Sequence, residues 1–129
     1  MNTVEVEELL IRAVHSDKNA DQYILSKLND FHLFYTILDI VENSVSGDAR
    51  MKGAYYLSKF CEELLKNEEE RLLTLMDDEW NSVSIHIMVA LSRIKSLKAF
   101  DKIINRIEPV LYWEAQSLKN YSDLIYEKI

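Results

Sequence analysis

The chain has 129 residues, 48% of them hydrophobic, with two glycines, one proline and one cysteine; this is enough to bury a core in one domain spanning 1–129. That apolar content excludes disorder. The lone Cys61 excludes an internal disulfide and any multi-cysteine metal site, and no apolar run approaches the roughly 18 residues of a membrane span. The formal net charge of −7 argues against direct nucleic-acid binding, because phosphate contacts need clustered Lys and Arg.

Hydrophobic spacing is helical throughout, and no segment alternates with period two between turn signals, so no sheet is expected. The first helix is predicted at about 3–15, with Asn2 and Glu5 at capping-box spacing. The second spans about 20–29 (ADQYILSKLN), and the third about 30–45 with Asp30 as N-cap. SVSGDA breaks the pattern: Gly47 suits a C-cap and Asp48 can open the next helix. That helix is predicted over 48–66, followed by others at about 67–77, 81–95 and 97–107. Pro109 stands in the first turn of an eighth helix that runs to the C-terminus.

A 100° advance per residue sorts the helix faces. In 48–66, Ala54, Leu57, Phe60, Cys61, Leu64 and Leu65 share one side, and Lys52, Tyr55, Lys59, Glu62, Glu63 and Lys66 the other. Tyr55, an aromatic among charges, either lies along lysine stems or anchors a partner. The 81–95 helix is apolar almost all round, leaving Ser82, His86 and Arg93 as a narrow polar stripe, so it is expected to be central. In the last helix Tyr112 falls on the polar side, while Trp113, Leu118, Tyr121 and Ile125 face the core. Trp80, at a helix boundary, is expected to be partly open.

Short connections imply antiparallel neighbours. An internal echo (LSKL at 25–28, LSKF at 57–60, LSRI at 91–94, LKNY at 118–121) recurs at intervals within reach of a helical solenoid's period. The segments ARMKGAYYLSKFCEELLKN and SVSIHIMVALSRIKSLKAFDKIINRIEP resemble HEAT repeats. Ala54, Leu57 and Phe60 match the core of that family's first helix, and Ala99, Ile103 and Ile107 its second. The usual inter-helix proline and Asp–Arg ladder are missing. The expected fold is therefore all-α, about eight helices in a short HEAT-like antiparallel hairpin array, with a closed helical bundle as the alternative.

No motif for catalysis is present. His15, His32 and His86 stand in neither His-x-x-x-His nor Glu-x-x-His spacing, and there is no P-loop, nucleophile elbow or dinucleotide fingerprint. The sequence reads as a non-enzyme with no cofactor and no metal. Its anomaly is charge: residues 62–79 hold eight acids (Glu62, Glu63, Glu68, Glu69, Glu70, Asp77, Asp78, Glu79) against two bases. Part of this is helix-start chemistry, since carboxylates favour the positive end of the helix dipole. The surplus suits a docking ridge for a basic protein, with Tyr55, Trp80 and Tyr112 as aromatic contacts. In build and charge balance the chain resembles the immunity proteins of bacterial contact-dependent inhibition. That resemblance implies a cytoplasmic inhibitor occluding a basic, nuclease-like toxin, with no direct nucleic-acid or membrane contact. The alternatives are a helical adaptor with another partner, and an enzyme on a HEAT-like frame. The acidic opening MNTVEVEELL lacks the basic-then-apolar form of a secretion signal, which fits the cytoplasmic reading.

Overall fold

Polar side chains start the first four helices by accepting orphan backbone N–H groups. Asn2 and Glu5 close a full capping box, Asp17 accepts from the amides of Asn19 and Ala20, Asp30 from Leu33, and Ser46 from Ala49. The computed structural model describes residues 1–104, 117 and 119–121. Among these it is all-helical, with no strand: α1 Thr3–Val14, α2 Lys18–Leu25, α3 Phe31–Asn43, α4 Gly47–Leu57, α5 Glu62–Asn67, α6 Glu69–Met76, α7 Asn81–Arg93 and α8 Leu97–Ile104. Tyr112 and the start of the proline-opened helix lie outside the described residues. Tyr121 is inside them and fully buried, as its position predicted; its hydroxyl donates to Ser96 O at 2.9 Å, and its ring lies 4.9 Å from that of Phe100.

The helices form two antiparallel rows. In the front row α1, α4 and α7 run parallel. Leu10 lies against Gly53, the helix start at Gly47 meets Trp80, the Tyr55 and His86 rings sit 5.5 Å apart, and Arg93 reaches Ser58 and Phe60 at the end of α4. Behind it, α3 packs antiparallel to α4 and α6 antiparallel to α7. Arg50 donates to Val41 O at 2.7 Å, and Ser84 Oγ to Met76 O at 2.8 Å. The turn after α2 meets the start of α5, where the amide of Cys61 donates to Leu28 O at 3.0 Å. α4 packs against α1, α3 and α7, and α7 against α4, α6 and α8, so the all-round apolar helix is central, as its composition required.

Three elements depart from the sequence reading. The 48–66 segment is two helices, not one: Ser58 Oγ donates back to Tyr55 O, Phe60 is driven into the core against Phe34 at 5.3 Å, and Cys61 is extended. Cys61 is thus the half-buried N-cap of α5 rather than a residue on a helix's apolar face. Gly47 does not cap α3; Ser44 does, and Gly47 opens α4 because the Trp80 ring lies where a Cβ would be. The second helix begins earlier and ends earlier than expected, between the Asp17 cap and a Ser26 Oγ bond to Tyr23 O. The echo proves to mark helix ends: Ser26, Ser58 and Ser92 each return a hydroxyl hydrogen bond to the carbonyl three residues earlier. Among the echo segments that lie wholly within the described residues, LSKF and LSRI occupy equivalent places, the ends of α4 and α7.

Candidate functional site

Most of the acidic stretch is spent inside the molecule. Glu68 accepts from the Tyr35 hydroxyl at 2.6 Å and lies near Arg71, whose guanidinium also reaches Asp39 at 2.8 Å and Glu42 Oε2 at 3.1 Å. Hydrogen bonding to Glu42 above all pushes the Arg71 pKa up, and the bond to Glu68 raises that of Tyr35. Glu69 accepts from Ser96 Oγ at 2.9 Å, Glu70 pairs with Lys98 at 2.7 Å and Asp77 with Lys102 at 2.8 Å. Asp78 pairs with Arg50 and accepts from the Trp80 amide at 2.9 Å. These contacts lace α3, α6 and α8 together. Helix-start chemistry holds for α6, whose first turn carries Glu69 and Glu70, but not for α7, whose first turn holds no acid.

The two acid clusters therefore do not open on one edge. Glu68, Glu69 and Glu70 lie at the start of α6, Asp77, Asp78 and Glu79 at its end, and the antiparallel turn into α7 puts successive helix starts at opposite ends. Glu62 and Glu63 are exposed in the first turn of α5, near where α4 ends. Their carboxylates and that of Glu79 make no hydrogen bond or ion pair with a described residue.

Trp80 sits at the edge where α4 and α7 begin. Its ring lies on Gly47, filling the place an added Cβ would take, and the Arg50 guanidinium stands 5.9 Å from the ring centroid. Trp80 is nonetheless 49% exposed, Val45 nearby is fully exposed, and Asp48 and Glu79 are exposed carboxylates without an ion pair among the described residues. The parallel front row points three positive dipole ends at this edge, which favours acids there.

Tyr55 lies elsewhere, about 12 Å further along α4 at 1.5 Å per residue. Lys52 Nζ is 4.5 Å and Lys59 Nζ 5.0 Å from its ring centroid, so it takes the reading of an aromatic among lysine stems. Its other neighbours are Tyr56, whose buried hydroxyl donates to Asp21 at 2.6 Å, and His86. Burial, and then Lys52 and Lys59, lower the His86 pKa. Beside this face a recess of about 330 Å³ is lined by Ala13, Ser16, Asp17, Lys18, Asp21, Lys52 and Tyr55. Its two carboxylates are occupied, Asp17 as a helix cap and Asp21 by Tyr56.

Sequence reasoning missed the cationic partners Arg50, Arg71, Lys98 and Lys102. Arg71 also stands three residues from Glu68, within one helix turn, but its bonds to Asp39 and Glu42 and the other three pairings span 25 to 32 residues, beyond any local pattern. One signal was available: residues 80–129 carry a basic surplus, seven bases to five acids, that complements the acidic stretch. Among the described residues no group of three His, Cys, Asp or Glu could hold a metal ion, and no helix is long and apolar enough to cross a membrane. Fold and surfaces together define the chain as an all-helical array. Comparison with family models, curated proteins and solved structures finds no match.

Proposed function

We propose that this chain is a non-catalytic protein-binding module for a basic protein partner. In finer form we propose an inhibitor of the immunity kind, on a HEAT-like frame, that covers the basic surface of a nuclease-like toxin. The observation that carries the reading is the seat of Trp80: a half-exposed indole, laid on Gly47 and bordered by the exposed acids Asp48 and Glu79, which form no ion pair among the described residues. Trp is the side chain most often dominant in binding energy, and one already held in place loses little freedom on docking. Acids at the rim, with a net charge of −7, raise the rate of encounter with a basic protein.

The test starts with capture from the native host at low salt and moves to a purified, identified basic protein. Binding measured by calorimetry should weaken as salt rises. Trp80→Ala should cost on the order of 2 kcal/mol or more. Asp48→Lys with Glu79→Lys should mainly slow association. The inhibitor form adds that co-expression rescues cells from the partner's toxicity. Binding unchanged in both variants would remove this edge from the function, and a partner harmless to cells would leave an adaptor in place of an inhibitor.

A further inference from the structure

The chain carries 22 acidic residues against 15 Lys and Arg, and where lysines approach α6 they pair with carboxylates, as Lys98 and Lys102 do. Lys52 and Lys59 do not. One turn before and one turn after Tyr55, both rest over its ring and make no ion pair with a described residue. Across the helix boundary His86 packs edge-on to the same ring, at 5.5 Å and 82°. Burial first, and then the charges of Lys52 and Lys59, depress the His86 pKa. An acidic protein thus keeps a small basic face, floored by two rings and armed by two lysines, on the solvent side of α4 and α7.

We propose that this face is a second docking surface, which receives a carboxylate-bearing acidic segment of a partner protein. Charge complementarity selects the occupant. Two ammonium groups on flexible stems suit separate carboxylates. A phosphate backbone calls for more: clustered charge and the bidentate fork of arginine. The arginine at this end of α7, Arg93, is committed to the carbonyls of Ser58 and Phe60 at 2.8 and 2.6 Å. The surface is independent of the Trp80 edge, and a partner engaging both must present opposite charges about 12 Å apart along α4. That constraint fixes orientation as well as affinity.

The test uses the whole chain, a synthetic oligoglutamate peptide and NMR. Addition of the peptide should give saturable shifts at His86 and Tyr55, leave the Trp80 indole unmoved, and raise the His86 pKa as carboxylates offset the lysine field. Lys52→Gln with Lys59→Gln, at partly or fully exposed positions that leave the core intact, should lower the affinity by about tenfold or more. Without peptide, the same variant should bring the His86 pKa back toward the ordinary histidine value. No saturable shift, or equal affinity in the variant, overturns the proposal. So does tighter binding of inorganic phosphate or a short single-stranded RNA, which would make the face a phosphate site. None of these outcomes touches the Trp80 edge, so the two readings stand or fall separately.

Discussion

A methyl group added at Gly53 would stand 2.6 Å from Val41 Cγ2 and 3.4 Å from Ile37 Cγ2, both on fully buried side chains. Helix propensity favours alanine there by about 1 kcal/mol, but overpacking a filled core costs about 1–3 kcal/mol, so Gly53→Ala is expected to lower the urea midpoint. At Gly47 the obstacle is the half-exposed Trp80 ring, which has solvent to move into. Gly47→Ala should leave stability nearly unchanged and shift Trp80 emission to the red, read in a Trp113→Phe background. The same substitution separates a packing glycine from one that seats a surface aromatic. His86 supplies a pH signature. Its folded pKa lies below the unfolded value of about 6.5, so its contribution is complete above that pH. The contribution is lost as pH falls from there through the folded pKa, because the unfolded chain then binds the proton more readily. Stability measured between pH 8 and 5 should therefore fall less steeply in His86→Gln than in the parent.

At the scale of elements, the corners are built almost without glycine. α1 and α7 both end in a left-handed residue, Ser16 at φ 68° and Lys95 at φ 53°. The next amide closes back on the helix in each case, Asp17 to Arg12 O and Ser96 to Leu91 O, both at 3.1 Å. That next residue then caps the following helix. The left-handed conformation costs a non-glycine residue roughly 1–2 kcal/mol, and glycine's extra unfolded freedom returns part of any gain. Ser16→Gly should accordingly raise stability by about 0.5–1 kcal/mol, seen as a higher urea midpoint with an unchanged slope. Arg93 joins neighbouring elements instead, capping the end of α4 from α7. Hydrogen bonds to charged donors contribute about 1.5–3 kcal/mol, and partial exposure reduces this, so Arg93→Met should cost on the order of 1–2 kcal/mol while helical content is retained. The α6 pairs matter less singly, because Lys98, Glu70, Lys102 and Asp77 are all largely exposed.

For the whole molecule, the two-row packing makes α4 and α7 the helices closed in on most sides, and α2 and α5 the least covered. Hydrogen exchange should find the slowest amides at Ala54–Leu57 and Ile87–Leu91, and faster ones in α2 and α5. The sequence by itself determined the all-helical class, the Asn2–Glu5 and Asp30 starts, the central place of α7 and the burial of Tyr121. Each of these follows from periodicity or cap chemistry within a few residues, which a linear pattern records. Tertiary structure alone decided that 48–66 breaks in two, since no glycine or proline marks the break and its cause is Phe60 meeting Phe34 from another helix. It alone decided that Trp80 takes the place of a side chain at Gly47. It also divided the acids: Glu68, Glu69, Glu70, Asp77 and Asp78 became internal fastenings, while Glu62, Glu63 and Glu79 stayed open. Charge density is written along the chain, but whether a charge is spent depends on which distant cation the packing brings within about 4 Å.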